Sequence, residues 1–170
     1  MRIAGLTQDS IVDGPGFRFT VFVQGCAHHC EGCHNPQTHD SAGGKEMTTD
    51  EIIREMRSNP LTDGLTLSGG EPFDQSEDCL TLVRAARESG LNVWSYSGYL
   101  YEQLLADEKR SQLLKELDVL VDGPFVESKK DLMLRFRGSS NQRLIDVPAS
   151  LAAGAVVLWE DWQGERKGNR

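Results

Sequence analysis

Gly64-Leu65-Thr66-Leu67-Ser68-Gly69-Gly70-Glu71-Pro72 is a short apolar run broken at paired glycines. Behind it, Cys79, Leu82, Val83 and Ala86 recur at i, i+3, i+4 and i+7, the spacing of one helix face, within residues 74–88. Ser89-Gly90 closes that helix, because glycine takes the left-handed conformation on which helices commonly end. Residues 91–96 then read as a second strand, ending at Ser97-Gly98. Strand, helix and strand at this spacing form a βαβ unit, whose two strands lie parallel.

The same punctuation extends in both directions. Upstream, Phe17, Phe19, Val21 and Val23 alternate with Arg18, Thr20 and Gln24, a strand pattern that runs into Gly25-Cys26. Thr48-Thr49-Asp50-Glu51 is a capping box, and Ile52, Ile53 and Met56 continue it as a helix that Asn59-Pro60 ends. Downstream, residues 101–106 and 112–117 are weaker helices, and residues 118–121 are a strand stopped by Asp122-Gly123-Pro124. Residues 135–143 read as a loop, and 144–147 and 155–159 as late strands. A complete eight-unit barrel takes about 200 residues or more. The 170 residues here are too few for that. The expected fold is therefore α/β: an incomplete, TIM-like β/α barrel around a parallel sheet. Each Gly-rich or reactive stretch follows a strand, so all of them converge on the carboxyl ends of the strands, where parallel α/β folds bind ligands.

Composition excludes several classes. Eighteen basic against twenty-six acidic side chains give a net charge of −8, the wrong sign for a surface that must displace counterions from nucleic acid. No apolar run approaches the roughly 20 residues that span a bilayer, and Met1-Arg2-Ile3-Ala4-Gly5 lacks the apolar stretch of a secretory signal. A cytoplasmic protein without membrane or nucleic-acid partners is expected.

Three of the four cysteines, Cys26, Cys30 and Cys33, fall within one short stretch. Disulfide-stapled domains spread their cysteines to close loops, whereas thiols crowded into one turn of a reduced protein have the spacing of metal ligands. A C-x3-C-x2-C set can hold three corners of an iron–sulfur cubane and leaves one iron without a protein ligand. The competing reading is structural zinc, with His28, His29, His34 or His39 as fourth ligand, in a small binding module without catalysis. Zinc usually joins two separated knuckles, and no second Cys or His pair follows His39. The glycines of Ser68-Gly69-Gly70-Glu71 would let a ligand approach the backbone, and Glu71 adds a carboxylate able to hold an ammonium group.

The cysteine loop followed by the Gly-Gly-Glu turn resembles the radical S-adenosylmethionine superfamily. Asp13-Gly14-Pro15-Gly16-Phe17-Arg18, ahead of the cysteines, is similar to the glycyl-radical-enzyme activases within it. Gly32-Cys33-His34-Asn35-Pro36, Val121-Asp122-Gly123-Pro124-Phe125 and Arg137-Gly138-Ser139-Ser140-Asn141-Gln142-Arg143 resemble the activases that act on anaerobic ribonucleoside-triphosphate reductase. These matches span residues 8–147, and Gly32, where the wider superfamily often has an aromatic, is tolerated in the reductase group.

The resemblance implies one radical S-adenosylmethionine domain over residues 1–162 and a polar tail, 163–170, expected to fray. It implies that Cys26, Cys30 and Cys33 ligate a [4Fe-4S] cluster whose fourth iron is chelated by S-adenosylmethionine. Gly32, Cys33 and His34 would contact the adenosyl part, and Gly69, Gly70 and Glu71 the methionine amino end. An electron from a flavodoxin-like or ferredoxin-like donor would cleave the sulfonium. The 5′-deoxyadenosyl radical released would take a hydrogen from a glycine of the reductase. That loop would enter by the lateral opening of the incomplete barrel and seal it. Close alternatives keep the chemistry but change the substrate: pyruvate formate-lyase activation, or carbocyclisation in deazapurine synthesis.

Other residues read as structural. Trp94 and Tyr96 lie on a strand and are expected in the core, Cys79 is buried and inert, and His28 and His29 either shape the cluster environment or are solvated loop residues. Arg137 and Arg143 flank a Ser-Ser-Asn turn suited to an anion, and the resemblance points to a substrate carboxylate or the reductase.

Overall fold

The alternation around Phe19 comes out as a strand buried on both of its faces. In the computed structural model, which describes residues 1–160, seven strands form one sheet: β1 (Arg2–Ser10), β2 (Arg18–Val23), β3 (Lys45–Glu46), β4 (Gly64–Gly69), β5 (Asn92–Tyr96), β6 (Val119–Asp122) and β7 (Arg143–Asp146). Their order is β3-β1-β2-β4-β5-β6-β7. Strands β2, β4, β5 and β6 are mutually parallel, while β1 pairs antiparallel with β2 and β3, and β7 antiparallel with β6. The structure is thus a mixed α/β fold with a largely parallel sheet. Parallel βαβ units account for its centre and not for its edges.

Among the described residues, five α-helices cover one face: α1 (Thr49–Ser58), α2 (Ser76–Glu88), α3 (Tyr101–Ala106), α4 (Glu108–Leu114) and α5 (Val147–Ala153). Strand side chains alternate between faces. Phe19, Val21, Val23, Leu65, Leu67, Val93, Leu120 and Ile145 therefore share a core with Ile52, Met56, Leu82, Val83, Leu104 and Leu113 from the helices. The capping box at α1 forms as expected: Thr48 Oγ1 accepts from the Glu51 N–H, and Glu51 accepts from the Thr48 N–H.

The opposite face is assembled differently. Arg18, Thr20, Thr66, Trp94 and Tyr96 point there, and the β1–β2 connection folds over it: Thr66 Oγ1 donates to the Asp13 carbonyl, and Thr20 Oγ1 to the Asp13 carboxylate. Arg18 is fully buried, donating to Thr66 Oγ1, to the Leu65 and Pro15 carbonyls and to Asn92, with its guanidinium 5.8 Å from the Trp94 ring centre. Burial pulls its pKa down to about 10. Trp94, Phe136 and Trp159 pack edge to face above it.

Several local expectations need correction. Strand β1 is not among the elements expected: its residues Thr7, Gln8 and Asp9 are exposed and its pairing is interrupted by bulges, so it lacks a clean period of two. Residues 144–147 are not a strand throughout: β7 stops at Asp146, whose carboxylate caps α5 by accepting from the Ala149 N–H. Residues 155–159 form only a bridge, Ile145 to Leu158. The helix expected over 112–117 begins earlier, because the Asp107 carboxylate accepts from the Lys109 and Arg110 N–H groups and caps it there. The expected boundary at 162 and the tail 163–170 lie outside the described residues. Among the described residues, no helix is long and apolar enough to cross a membrane.

Candidate cofactor site at the strand ends

The four parallel strands end together, and a cavity of about 410 Å3 opens there. Cys26 follows β2, Gly69 and Gly70 close β4, Ser97 and Gly98 follow β5, and Gly123 follows β6; all of them line the cavity. A volume of this size is in the range of small-molecule and cofactor pockets.

The cysteine loop is closed at its neck. Gly25 N–H donates to the Thr38 carbonyl at 2.8 Å, and Cys26 N–H to the His39 carbonyl at 3.2 Å. Within it, Cys26, Cys30 and Cys33 are half-buried, free and all on the cavity wall. The Asn35 N–H points at Cys33 Sγ, 3.4 Å away. Partial burial raises the pKa of Cys26, while the backbone N–H groups of His28 and His29 pull it the other way. Amide donors aimed at sulfur stabilise thiolates, the form that ligates metal. Among the described residues, no three His, Cys, Asp or Glu side chains converge tightly enough to hold a metal ion by themselves. Three free thiols, two of them with amide donors, on the wall of a cavity of cofactor size nevertheless suit an iron–sulfur cluster.

The histidines have other partners. His28 Nε2 lies 2.8 Å from Glu71 Oε2, a pairing that raises the His28 pKa. His29 and His39 meet edge to face, and His34 tilts against Phe125 at 4.9 Å.

The paired glycines of the Gly-Gly-Glu turn have a clear steric cause. Gly70 N–H donates to the Val23 carbonyl and Glu71 N–H to the Gly25 carbonyl, drawing the end of β4 against the root of the cysteine loop. A Cβ on Gly70 would lie 2.3 Å from the Gly25 oxygen. Backbone, as well as any ligand, is what these glycines admit.

Of the sequence-derived candidates, the structure brings Cys26, Cys30, Cys33, His34, Gly69 and Gly70 together on the cavity wall. Gly32 is exposed and off that wall, and Glu71 is buried behind it. Arg137 lines the cavity and donates to the Gln142 carbonyl, whereas Arg143 is committed to Asp122 and Glu102. Among the wall residues not singled out as site residues are Asp13 and Tyr96. Asp13 stood only as part of the Asp13–Arg18 turn that carries the resemblance. Tyr96 was assigned to the core by its strand; burial and the nearby Asp13 carboxylate raise its pKa.

Known proteins resemble this chain over most of its length. A family model described as a 4Fe-4S single cluster domain matches residues 12–145, a span that contains all three loop cysteines. The anaerobic ribonucleoside-triphosphate reductase-activating protein of Escherichia coli (strain K12) is 40% identical over 140 residues, covering 78% of this chain and 90% of that one. Those of Vibrio cholerae and of Enterobacteria phage T4 are each 37% identical, covering 78% of this chain and 89% and 86% of theirs. The chain belongs to the family of anaerobic ribonucleoside-triphosphate reductase-activating proteins.

Proposed function

We propose that the chain is a radical S-adenosylmethionine enzyme that installs a glycyl radical on anaerobic ribonucleoside-triphosphate reductase. The observation that carries this reading is the meeting of the three loop cysteines with the Gly69-Gly70 turn on one cavity wall. Cys26, Cys30 and Cys33 would hold a [4Fe-4S] cluster, with S-adenosylmethionine as co-substrate beside it. When bound, the cluster supplies the single electron, received from a flavodoxin-like or ferredoxin-like donor, that makes the co-substrate an oxidant of a glycine C–H bond. The backbone of Cys33 and His34 would meet the adenosyl part, and Gly69 and Gly70 the methionine end.

The chain's own part is orientation and exclusion of water. Phe125, Leu134 and Phe136 contribute apolar lining to the cavity. At the mouth stand Val12, 70% exposed, and Leu132, 86% exposed, with Met133 beside it at 88%. Such a rim is costly in water and suits a partner segment that covers it, in line with an incomplete barrel sealed by the reductase loop. A reducing compartment such as the cytoplasm follows from the free thiols and the cluster.

The test is anaerobic reconstitution with iron and sulfide, then mixing with co-substrate, reductant and the reductase. A doublet from a carbon-centred radical in electron paramagnetic resonance, dependent on all components, is expected. Colourless protein with one equivalent of zinc would overturn the reading.

A further inference from the structure

Glu71 was expected to hold an ammonium group, yet its carboxylate has no oxygen free to do so. Ser97 Oγ donates to Oε1 at 2.9 Å and the Phe73 N–H at 3.1 Å, while the Gly98 N–H lies 2.8 Å from Oε2 and His28 Nε2 also 2.8 Å from it. An ionised carboxylate offers about four acceptor sites, and here all are used. The residue is 1% exposed and absent from the cavity wall.

Three of its partners belong to the turns after β4 and β5. The fourth, His28, belongs to the cysteine loop, midway between Cys26 and Cys30. The His28 ring is held on two further sides. It meets Tyr99 edge to face at 4.5 Å, and it packs so closely on Gly98 that a Cβ there would lie 2.5 Å from the ring. A side chain at position 98 would push the ring out, so glycine there serves the same contact.

We infer that Glu71 is a positioning residue that acts through His28, clamping the Cys26–Cys30 turn against the ends of β4 and β5. It sets the posture of two thiols instead of touching the co-substrate. The inference rests on the reading of Cys26, Cys30 and Cys33 as cluster ligands, and it concerns the loop, whatever the reductase does. Partners one shell out from a ligand commonly change metal affinity 10- to 100-fold when removed.

The experiment uses reconstituted, cluster-loaded full-length protein and the variants His28→Ala, Glu71→Gln, the double variant and His28→Gln. Iron loss to a chelator is expected to be about tenfold faster in His28→Ala and in Glu71→Gln. The double variant should be no worse than either single one, as for two ends of one contact. His28→Gln retains an N–H donor near the Nε2 position, so it should restore slow loss and the wild-type line shape of the reduced cluster in electron paramagnetic resonance. Affinity for S-adenosylmethionine in the loaded fraction should change little. Iron loss at the wild-type rate in both single variants overturns the clamp. So does a Glu71→Gln variant that keeps its cluster but alone loses co-substrate affinity. Amide exchange in residues 26–34 of cluster-free protein gives a second readout. It should quicken in His28→Ala while α2 stays protected, and unchanged exchange refutes the clamp even if no cluster forms. Wild-type protein that takes up no cluster would instead overturn the proposed function.

Discussion

On one side of the sheet Phe19, Val21, Leu65, Leu67, Val93 and Leu120 meet helices; on the other, Arg18, Thr20, Thr66, Ser68 and Tyr96 meet loops. The helix side is held by apolar area, which is non-directional and tolerant of small shifts. The loop side combines a smaller aromatic cluster around Trp94 with directed hydrogen bonds from buried polar groups, each costly to leave unmade. Stability is concentrated on the first side and the cavity is built on the second. The strands carry both, because alternate residues serve opposite faces.

The comparison can be broken most severely at the cavity. Cys30→Ala is expected to abolish cluster assembly and co-substrate cleavage while leaving the far-ultraviolet circular dichroism of the wild type. Loss of that spectrum would mean the loop supports the sheet. On the helix side, Leu67→Ala should cost about 2–5 kcal/mol in urea unfolding, the range for a fully buried leucine. Its neighbour Ser68, on the cavity wall, should tolerate alanine within about 0.5 kcal/mol, and an equal cost at both would erase the distinction. At the rim, Leu132→Asp should lower reductase activation about tenfold at limiting concentration, near 1.4 kcal/mol, with co-substrate cleavage unchanged. Equal loss of both activities would place Leu132 inside the chemistry. Smallest, Asp146→Ala removes the cap of α5 and should cost about 1 kcal/mol in thermal unfolding without altering cluster content.

Legibility in the sequence follows the same division. Helix-face positions such as Leu82, Val83 and Ala86 announce themselves by a period of 3.6, and the strands they cover by glycine-marked ends. The spacing of the cysteines marked their loop as ligand-bearing and left cluster and zinc both open. The loop side was not, because Arg18 and Thr20 look like the wet face of a half-buried strand until a distant connection covers them. Strand β1 escaped for a related reason: its pairing with β2 is bulged, and its polar residues hide the alternation. His28 could not be distinguished from solvated His29, since its partner Glu71 lies 43 residues away. A carboxylate next to paired glycines suggests a ligand contact, and only the full set of donors around Glu71 shows that the chain itself occupies it.

The backbone bonds from Gly25 and Cys26 to Thr38 and His39 have a consequence for repeated use of the protein. They tie the loop at its base without help from iron, so loss of the proposed cluster would leave the three cysteines on one closed loop. The entropy of closing that loop is met when the polypeptide folds, so it would not have to be met again on cluster assembly. A molecule that had lost the proposed cluster would then keep its loop closed, ready to be refilled.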